Sequence, residues 1–373
     1  MFTALKVENF KSIPTLEAEL GRVTVLIGEN GCGKSNILEA VAFAAAAANN
    51  KLDHEFLASR GIRFTDPKFM RAAFTDVVPA EIRIEVRGEG NPTYAIGRFK
   101  SPPGEGWERI RELDLSPDEF QHRVEDAIGR GILSNPFKLS DALALVERKL
   151  EGPPWDFLIY SPENSALRTF QSEGQILPLG IRGEGLFALL KALGTSEKGR
   201  SVLAEISGEL ALIDWFKEFR APANAAPGER TLLIGDRYLG ESSLFDQRSA
   251  NEGFLFLLFY FALLVSPGTP AFFAIDNVDA SLNPKLCAEL TRRIVKLAKR
   301  HDKQVILTTH NPAVLDGLDL GDDEQRLLVV HRNKHGHTKT RRVHKPEPVE
   351  GAAPVRLSEA FLRGYIGGLP KNF

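Results

Sequence analysis

The sequence has few cysteines and no long hydrophobic segment. Its two cysteines, Cys32 and Cys287, offer no disulfide framework and no zinc-ligand spacing, so they suit a reducing compartment. The longest apolar run, 253–265, is too short to span a bilayer, and residues 1–7 lack the charged start and apolar middle of a signal peptide. We therefore expect a cytoplasmic protein that does not bind a membrane.

A large excess of basic charge is also missing. Lys and Arg number 47 against 49 for Asp and Glu, so any surface for nucleic acid must be local. The 373 residues are 43% hydrophobic, which allows one large domain or two smaller ones. The sequence contains no internal repeat and no long heptad array, so we expect no long coiled-coil arm.

The most specific motif that is present is a phosphate-binding loop. An apolar run at 22–27 precedes Gly-Glu-Asn-Gly-Cys-Gly-Lys-Ser at 28–35, and a helix-like sequence follows. This is G-x-x-x-x-G-K-S between a strand and a helix, where backbone amides and the helix N-terminus face one phosphate chain. We expect Lys34 to bind the terminal phosphates of ATP and Ser35 to ligate Mg²⁺. Cys32 is expected to be a small spacer rather than a nucleophile.

A second acidic motif lies far along the chain. The apolar run 271–275 ends in Asp276, the position in which a P-loop protein presents a second Mg²⁺-organising carboxylate. The next residue is Asn277, whose amide can orient a water but cannot accept its proton at neutral pH. Two hypotheses follow: the carboxylate of Asp279 supports slow hydrolysis, or the site binds ATP as a sensor with negligible turnover.

Hydrophobic periodicities typical of strands and helices, together with Pro/Gly-rich segments, divide the chain into four parts. A hairpin is predicted at 80–99, and one strand-like run at 157–160 interrupts an otherwise helical region. The tail helix pattern at 357–366 is typical either of a docking helix or of a helix that packs on its own domain. The predicted parts are an N-terminal ATPase lobe at 1–106, a helical insertion at 107–228, a C-terminal ATPase lobe at 229–346 and a tail at 347–373.

Four segments near the two ends of the chain together indicate a family. They are 7–13 before the loop, 28–36 in it, 276–284 after the second acidic strand, and 308–312, which reads Thr-Thr-His-Asn-Pro. With these segments the chain resembles the ABC-type ATPase heads of the SMC, RecF and overcoming-lysogenization-defect groups. The resemblance implies an α/β P-loop NTPase with a mixed sheet, an N-terminal antiparallel β subdomain and a helical insertion, with ATP and Mg²⁺ as cofactors.

The resemblance also implies roles for individual residues. Asp276 matches the Mg²⁺-associated aspartate, His310 matches the switch histidine that senses the terminal phosphate, and 280–283 matches the D-loop that crosses a dimer interface. The family's signature sequence is matched best by 249–253, with Asn251 where the family has serine. In such heads the signature acts on ATP held by the opposite subunit, which implies a homodimer or a higher homo-oligomer.

The expected site therefore combines residues from distant parts of the chain. Asn251 has an alternative role as an ordinary helix N-cap, and neither Gln171 nor Gln175 fixes the position of the family's glutamine loop. The expected catalytic residues are Asp276, Asn277, Asp279 and His310; the metal ligands are Ser35 and Asp276; and the nucleotide-binding residues are Glu29, Asn30, Gly31, Cys32, Gly33, Lys34, Ser35, Asn36, Asn251 and Gly253.

A basic segment near the end of the chain suggests a partner. Residues 331–345 contain six Lys or Arg and no acid, and they read as a hairpin that turns at Gly336. The segment either binds DNA or RNA phosphates or is an edge hairpin protected by its charge. The Asp-Asn-x-Asp form, without a following nuclease domain, resembles the ATPase subunit of two-gene antiphage systems such as Septu. That resemblance implies a separate nuclease partner in antiviral defence or DNA repair.

A different class of protein is less consistent with the motifs. The nucleotide-binding subunit of a membrane transporter is disfavoured, because the Gly-Gly-Gln form of the signature and a clear Asp-Glu pair are both missing.

Overall fold

The computed structural model describes residues 1–49, 51–63, 65, 67–74, 81–88, 91–100, 107–110, 125, 156–170, 178–221, 230–240, 243–345 and 355–369. Gln171 and Gln175 lie outside the described residues. The described strands are β1 (Phe2–Phe10), β2 (Ile13–Glu19), β3 (Val23–Ile27), β4 (Glu81–Gly88), β5 (Asn91–Lys100), β6 (Glu108–Ile110), β7 (Ile159–Tyr160), β8 (Phe216–Arg220), β9 (Leu233–Asp236), β10 (Leu244–Asp246), β11 (Phe272–Ile275), β12 (Gln304–Thr309), β13 (Gln325–Arg332) and β14 (Thr338–Val343).

Helices connect and cover these strands. A 3₁₀ helix spans Pro312–Gly317. The described α-helices are α1 (Lys34–Ala48), α2 (His54–Ser59), α3 (Pro67–Met70), α4 (Asn164–Thr169), α5 (Leu186–Gly194), α6 (Glu197–Leu210), α7 (Glu252–Val265), α8 (Pro284–Arg300) and α9 (Leu357–Leu362).

A mixed six-stranded sheet forms the centre of the molecule, in the order β14-β13-β3-β12-β11-β7. The strands β7, β11, β12, β3 and β13 are parallel, and β14 pairs with β13 in the antiparallel direction. Because β3, β11 and β12 run in the same direction, their carboxyl ends meet at one edge of the sheet. The loop after β3, Asp276 after β11 and His310 after β12 therefore meet at that edge, where ligands gather in open α/β sheets.

Two hydrophobic cores cover the two faces of this sheet. On β3, Val25 and Ile27 belong to one core while Leu26 belongs to the other, as the alternation of a strand requires. The second core joins α1 to an antiparallel sheet with the order β2-β1-β4-β5-β6. The antiparallel pairing of β4 with β5 confirms the hairpin predicted at 80–99. The mixed central sheet and the N-terminal antiparallel sheet confirm the predicted fold class.

The other core is built around α7. Every residue from Gly253 to Val265 is buried, because α6, α8, the central sheet and other segments surround this helix on all sides. The apolar run at 253–265 is thus a core helix, as its length predicted. No helix in the described part of the chain combines the length and the apolar character that a membrane span needs.

The range predicted as a helical insertion also contributes strands. Ile159 and Tyr160 of β7 pair with Ala274 and Ile275 of β11, so β7 is an edge strand of the central sheet. β8 pairs with β9 in a small sheet and thereby crosses the predicted boundary at 228. Sequence-local signals missed the pairing of β7 because β11 lies more than 100 residues further along the chain. They missed the second pairing because Phe216–Arg220 was not predicted as a strand.

The tail helix α9 packs on its own domain. Phe361 is buried in the larger core, and the backbone amide of Ser358 donates to Asp316 Oδ1 at 3.0 Å. Of the two roles predicted for the tail, the described contacts are those of intramolecular packing.

A buried lysine directly before β12 makes the free energy of unfolding depend on pH. Lys303 is 4% exposed, and its Nζ donates to Thr269 O at 2.7 Å, Thr269 Oγ1 at 3.0 Å and Pro270 O at 3.1 Å. Burial lowers the pKa of Lys303 to about 8. Above pH 8 the unfolded chain therefore binds more protons at this residue than the folded chain, so folding stability rises with pH.

We expect the stability difference between wild type and Lys303→Met to grow with pH. The wild-type protein should gain roughly 2 kcal/mol relative to the variant between pH 7 and pH 9.5, because methionine has no proton to lose. Urea unfolding of both proteins at several pH values measures this difference. Parallel stability curves across that pH range would contradict the prediction.

Candidate nucleotide site

The phosphate-binding loop has the backbone shape that its glycines allow. Gly31 has φ 74° and Gly33 has φ 107°, both in the region that favours glycine. A Cβ added to Gly33 would lie 2.1 Å from Thr338 Oγ1, and one added to Gly28 would lie 2.1 Å from Val330 O. The loop is therefore pressed against β13 and β14, and these two positions have no room for a side chain.

Lys34 begins α1 and points its ammonium into the loop. Its Nζ donates to Gly28 O at 2.9 Å and to Glu29 O at 3.1 Å. Burial lowers the pKa of Lys34, and the charges of nearby acidic groups, including Asp276, partly oppose that shift. The ammonium also contacts Cys32 Sγ at 3.9 Å and His310 Nδ1 at 3.5 Å. An ammonium held by these uncharged acceptors is ready to exchange them for phosphate oxygens of higher charge.

Ser35 and Asp276 meet as the predicted metal ligands. Ser35 Oγ lies 3.2 Å from Asp276 Oδ2, although 241 positions separate the two residues in the chain. Two oxygen ligands at about 2.1 Å from Mg²⁺, in adjacent octahedral positions, stand roughly 3.0 Å apart. The other carboxylate oxygen, Oδ1, accepts a hydrogen bond from Thr308 Oγ1, which fixes the carboxylate plane. The pair therefore fits a hexacoordinate Mg²⁺ that would add water and phosphate oxygens.

Asn277 lies beside the metal ligands and faces solvent. It has φ 53°, a left-handed conformation that asparagine adopts more readily than most residues. Its backbone N–H donates to Thr308 Oγ1 at 2.9 Å. Asp279 is held elsewhere, because its Oδ1 accepts a hydrogen bond from Thr309 Oγ1 at 2.6 Å. The residue that lines the nucleotide cavity is Asn277, and Asp279 does not line it.

His310 completes the cluster from the end of β12. Its Nδ1 lies 3.5 Å from Lys34 Nζ. Because an ammonium can only donate, this contact matches the tautomer in which Nδ1 accepts and Nε2 carries the ring proton. Burial, followed by the charge of Lys34, lowers the pKa of His310 below its usual value. At neutral pH the imidazole is therefore uncharged, with one N–H available to a phosphate oxygen.

The predicted signature segment begins a helix at a distance from this cluster. Asn251 is the N-cap of α7, and its Oδ1 accepts from the amide of Phe254 at 3.3 Å. A Cβ on Gly253 would meet Ser281 O at 3.1 Å, so glycine lets the D-loop approach the helix closely. The hydroxyl of Ser281 donates to the carboxylate of Glu252. The predicted signature segment and the predicted D-loop segment are thus in contact within one chain, and neither Asn251 nor Gly253 lines the chain's own nucleotide cavity.

The cluster surrounds a cavity of about 300 Å³. Cys32 is buried beneath the loop, and burial raises the pKa of its thiol, which agrees with the role of a spacer. A larger cavity of about 550 Å³ lies between α8, the 3₁₀ helix and the tail, and none of the predicted nucleotide ligands lines it. The residues that line the smaller cavity are Asn30, Gly31, Gly33, Lys34, Ser35, Asn36, Arg63, Asp276, Asn277, His310 and Arg332.

Two of these residues, Arg63 and Arg332, were missed from the sequence. Arg63 follows α2, and its Nε donates to the buried carboxylate of Glu39 at 2.6 Å. No local pattern marks Arg63. Arg332 lies within the basic segment 331–345, but the sequence indicated a nucleic-acid surface there rather than a place in the nucleotide site.

The basic segment forms the predicted hairpin, with its turn at Gly336 (φ 78°). Most of its cations contact this same chain, which is the behaviour of a charged edge hairpin. The contacts are Arg332 with Gly31 O, Lys339 with Thr15 O, Arg341 with Ile366 O, Arg342 with Glu19 and Asp323, and Lys345 with Asp319.

Comparisons with known proteins agree with this site. Residues 23–316 match a family of AAA domains described as "AAA domain, putative AbiEii toxin, Type IV TA system". The matched range includes the phosphate loop, Asp276 and His310. Among curated proteins, none matches the sequence.

The fold is similar to that of a solved SMC head, and two further SMC heads align over most of the chain with lower scores. The structure of an Smc head bound to the C-winged helix domain of ScpA superposes with a TM-score of 0.57 at 13% identity, over 92% of this chain and 98% of that one. The SMC head domain from Thermotoga maritima gives a TM-score of 0.48 at 16% identity, over 92% and 99%. The Smc head from Pyrococcus furiosus with an extended coiled coil, bound to the C-terminal domain of ScpA, gives 0.48 at 13% identity, over 92% and 96%.

Proposed function

This chain belongs to that family of AAA domains, and from this premise we propose that it is an ATP-dependent switch. It binds ATP with Mg²⁺, hydrolyses it slowly, and in its ATP-bound state forms a head-to-head homodimer that controls a nucleic-acid-processing partner. The observation that carries the proposal is the convergence of Lys34, Ser35, Asp276 and His310 on one cavity from three parallel strands. This set supplies a phosphate-binding cation, two metal ligands and a neutral imidazole donor.

Slow hydrolysis is proposed because no described residue that lines the cavity next to Asp276 supplies a basic carboxylate at the position of Asn277. Asn277 occupies the place beside Asp276 from which an attacking water would be oriented, and its amide cannot accept the water's proton. Thr309 holds the carboxylate of Asp279, the alternative that the sequence suggested, by a hydrogen bond. The same observation favours a second candidate function, an ATP-sensing scaffold with negligible hydrolysis.

The dimer is proposed because the signature segment does not reach the cavity of its own chain. Asn251 lies on the surface at the N-terminus of α7, where the positive end of the helix dipole and free amides favour an anion. In a head-to-head arrangement this terminus would face the nucleotide of the other subunit. A change in the conformation of the D-loop would then alter the hydrogen bond between Ser281 and Glu252, and so affect the same surface.

The partner is proposed by resemblance. The resemblance to ATPase subunits of two-gene antiphage systems suggests a separate nuclease in defence or DNA repair, and the family description names a toxin of a toxin–antitoxin system. The hairpin at 331–345 remains a proposed local surface for DNA or RNA, although most of its cations already contact this chain.

Light scattering after size-exclusion chromatography tests the switch. We expect ATP with Mg²⁺ to convert a 41.2 kDa monomer into a dimer, while ADP does not. Asn251→Arg should bind ATP like wild type and stay monomeric, because residue 251 is outside the chain's own cavity. Failure of a fluorescent ATP analogue to bind wild type would contradict the nucleotide function, whereas binding without a change in mass would contradict the dimer.

A further inference from the structure

The β13–β14 hairpin holds the phosphate loop by two of its carbonyl groups. Arg332, at the end of β13, donates from Nε to Gly31 O at 2.9 Å. Thr338, at the start of β14, donates from Oγ1 to Cys32 O at 2.8 Å. The two contacts come from the two strands of one hairpin and reach consecutive residues of the loop.

The contact from Thr338 belongs to a chain of hydrogen bonds that begins in the first turn of α1 and ends on the loop. Asn36 Nδ2 donates to Ser12 Oγ at 2.6 Å, and Ser12 Oγ lies 2.7 Å from Thr338 Oγ1. Because Thr338 donates its proton to Cys32 O, Ser12 must donate to Thr338, so the chain runs in a single direction. Thr338 is fully buried, so the loop shape depends on a hydroxyl that no solvent can replace.

The guanidinium of Arg332 has donors left over. Its Nε is used by Gly31 O, and no carboxylate in the described part of the chain forms an ion pair with it. The side chain is exposed to the nucleotide cavity, which it lines together with Asn30, Lys34 and His310. A guanidinium is planar, and the hydrogen bond from Nε to a carbonyl fixes the direction of that plane. The two terminal amines can then bind phosphate oxygens in pairs.

We propose that Arg332 is a nucleotide-binding residue whose terminal amines contact the phosphate chain of ATP, and that Thr338 is a positioning residue for the loop. The proposal rests on the proposed binding of ATP at this cavity. It assigns part of the basic hairpin to nucleotide binding rather than to a nucleic-acid surface. It also makes the hairpin the element that sets the position of two loop carbonyls before nucleotide arrives.

Binding of a fluorescent ATP analogue with Mg²⁺, with competition by unlabelled ATP, tests the role of Arg332. Arg332→Gln should raise the Kd for ATP by about 10- to 100-fold, the range for loss of hydrogen bonds to a charged group. Lys334→Gln is the matched control, since it removes one positive charge from the same hairpin outside the cavity. It should change the Kd by less than about twofold at 0.15 M salt.

The variant Arg332→Lys distinguishes paired hydrogen bonds to phosphate from a general effect of positive charge. Lysine keeps the positive charge but loses the paired donors, so its Kd should lie near that of Arg332→Gln if the contact is paired. The melting temperature without nucleotide should be the same for wild type, Arg332→Gln and Lys334→Gln. A lower melting temperature for Arg332→Gln with an unchanged Kd would show that Arg332 only supports the loop, and would overturn the assignment.

The role of Thr338 is tested by an isosteric pair of variants. Thr338→Val keeps the shape and removes the hydroxyl, so the Kd for ATP should rise at least tenfold, whereas Thr338→Ser should restore it. Equal Kd values for wild type and Thr338→Val would overturn the positioning role. Because all comparisons are made against wild type, absence of wild-type binding would instead count against the proposed ATP function itself.

Discussion

Replacing Asn277 with glutamate is expected to raise the steady-state rate of phosphate release by about 100- to 10,000-fold. Asn277 lines the cavity directly after Asp276, so a carboxylate placed there would accept the proton of a water that attacks the terminal phosphate. The side chain is exposed to solvent, so the new carboxylate needs no buried partner to stay ionised. The substitution therefore adds a basic carboxylate at a position where the described site has an amide.

The backbone conformation at residue 277 gives the substitution to glutamate a conformational cost. Asn277 has φ 53°, and a glutamate in that left-handed conformation costs roughly 1–2 kcal/mol more than asparagine. A rate increase of 100- to 10,000-fold corresponds to roughly 2.7–5.5 kcal/mol of barrier, which is larger than the strain. The gain in rate should survive, accompanied by a small loss of thermal stability.

Asn277→Gln is the matched control, because glutamine has the length of glutamate and the same backbone strain but no basic carboxylate. It should release phosphate no faster than wild type. If Asn277→Glu were no faster than Asn277→Gln, then the attacking water would be activated by another group, and Asp279→Asn would be the next variant to compare. Wild-type release equal to that of a variant that cannot bind ATP would instead support the sensing scaffold.

Local patterns were sufficient to predict the strands that end at the phosphate loop, at Asp276 and at His310. Each of these is an apolar strand followed by a loop that carries a polar motif, and parallel strands bring their carboxyl ends to one edge of a sheet whatever separates them in sequence. The contact between Ser35 and Asp276 is the outcome of that rule. The mixed sheet and its antiparallel neighbour were implied by the family resemblance, while periodicity predicted individual strands and the hairpin at 80–99.

The residues that sequence reasoning missed reach the site from elements with no local signature. Arg63 arrives after a short helix, and its place depends on the buried carboxylate of Glu39. Arg332 and Thr338 depend on β13 lying next to β3, a pairing between segments about 300 residues apart. Periodicity indicates that such strands exist, but it does not indicate their order in the sheet.

Proximity in sequence also suggested a role for Asp279 that the geometry does not favour. Asp279 lies three residues after Asp276, but the left-handed turn at Asn277 redirects the chain, and Val278 is buried with its amide bonded to Thr308 O. Asp279 consequently faces Thr309 rather than the cavity. A backbone conformation of one residue thus decides which polar side chain stands beside the metal ligands.

The second large effect is expected for Lys34→Met, which should weaken ATP binding by at least about 100-fold while leaving the nucleotide-free protein folded. Lys34 is the ammonium in the cavity, and methionine matches its length without its charge. In the nucleotide-free protein two effects oppose each other. Removing a buried ammonium whose pKa burial has lowered relieves a desolvation cost, whereas Gly28 O and Glu29 O lose their donor.

Thermal unfolding of wild type and Lys34→Met, with and without ATP and Mg²⁺, tests this prediction. At an ATP concentration of about 100 times the Kd, wild type should gain roughly 2.7 kcal/mol of stability, and Lys34→Met should gain almost none. Without nucleotide the two proteins should differ by no more than about 1 kcal/mol, since the lost hydrogen bonds and the relieved desolvation are of similar size. An equal ATP-dependent shift in both proteins would place the bound nucleotide elsewhere, and the 300 Å³ cavity would lose its assignment. The variant therefore tests the position of ATP independently of whether ATP is hydrolysed.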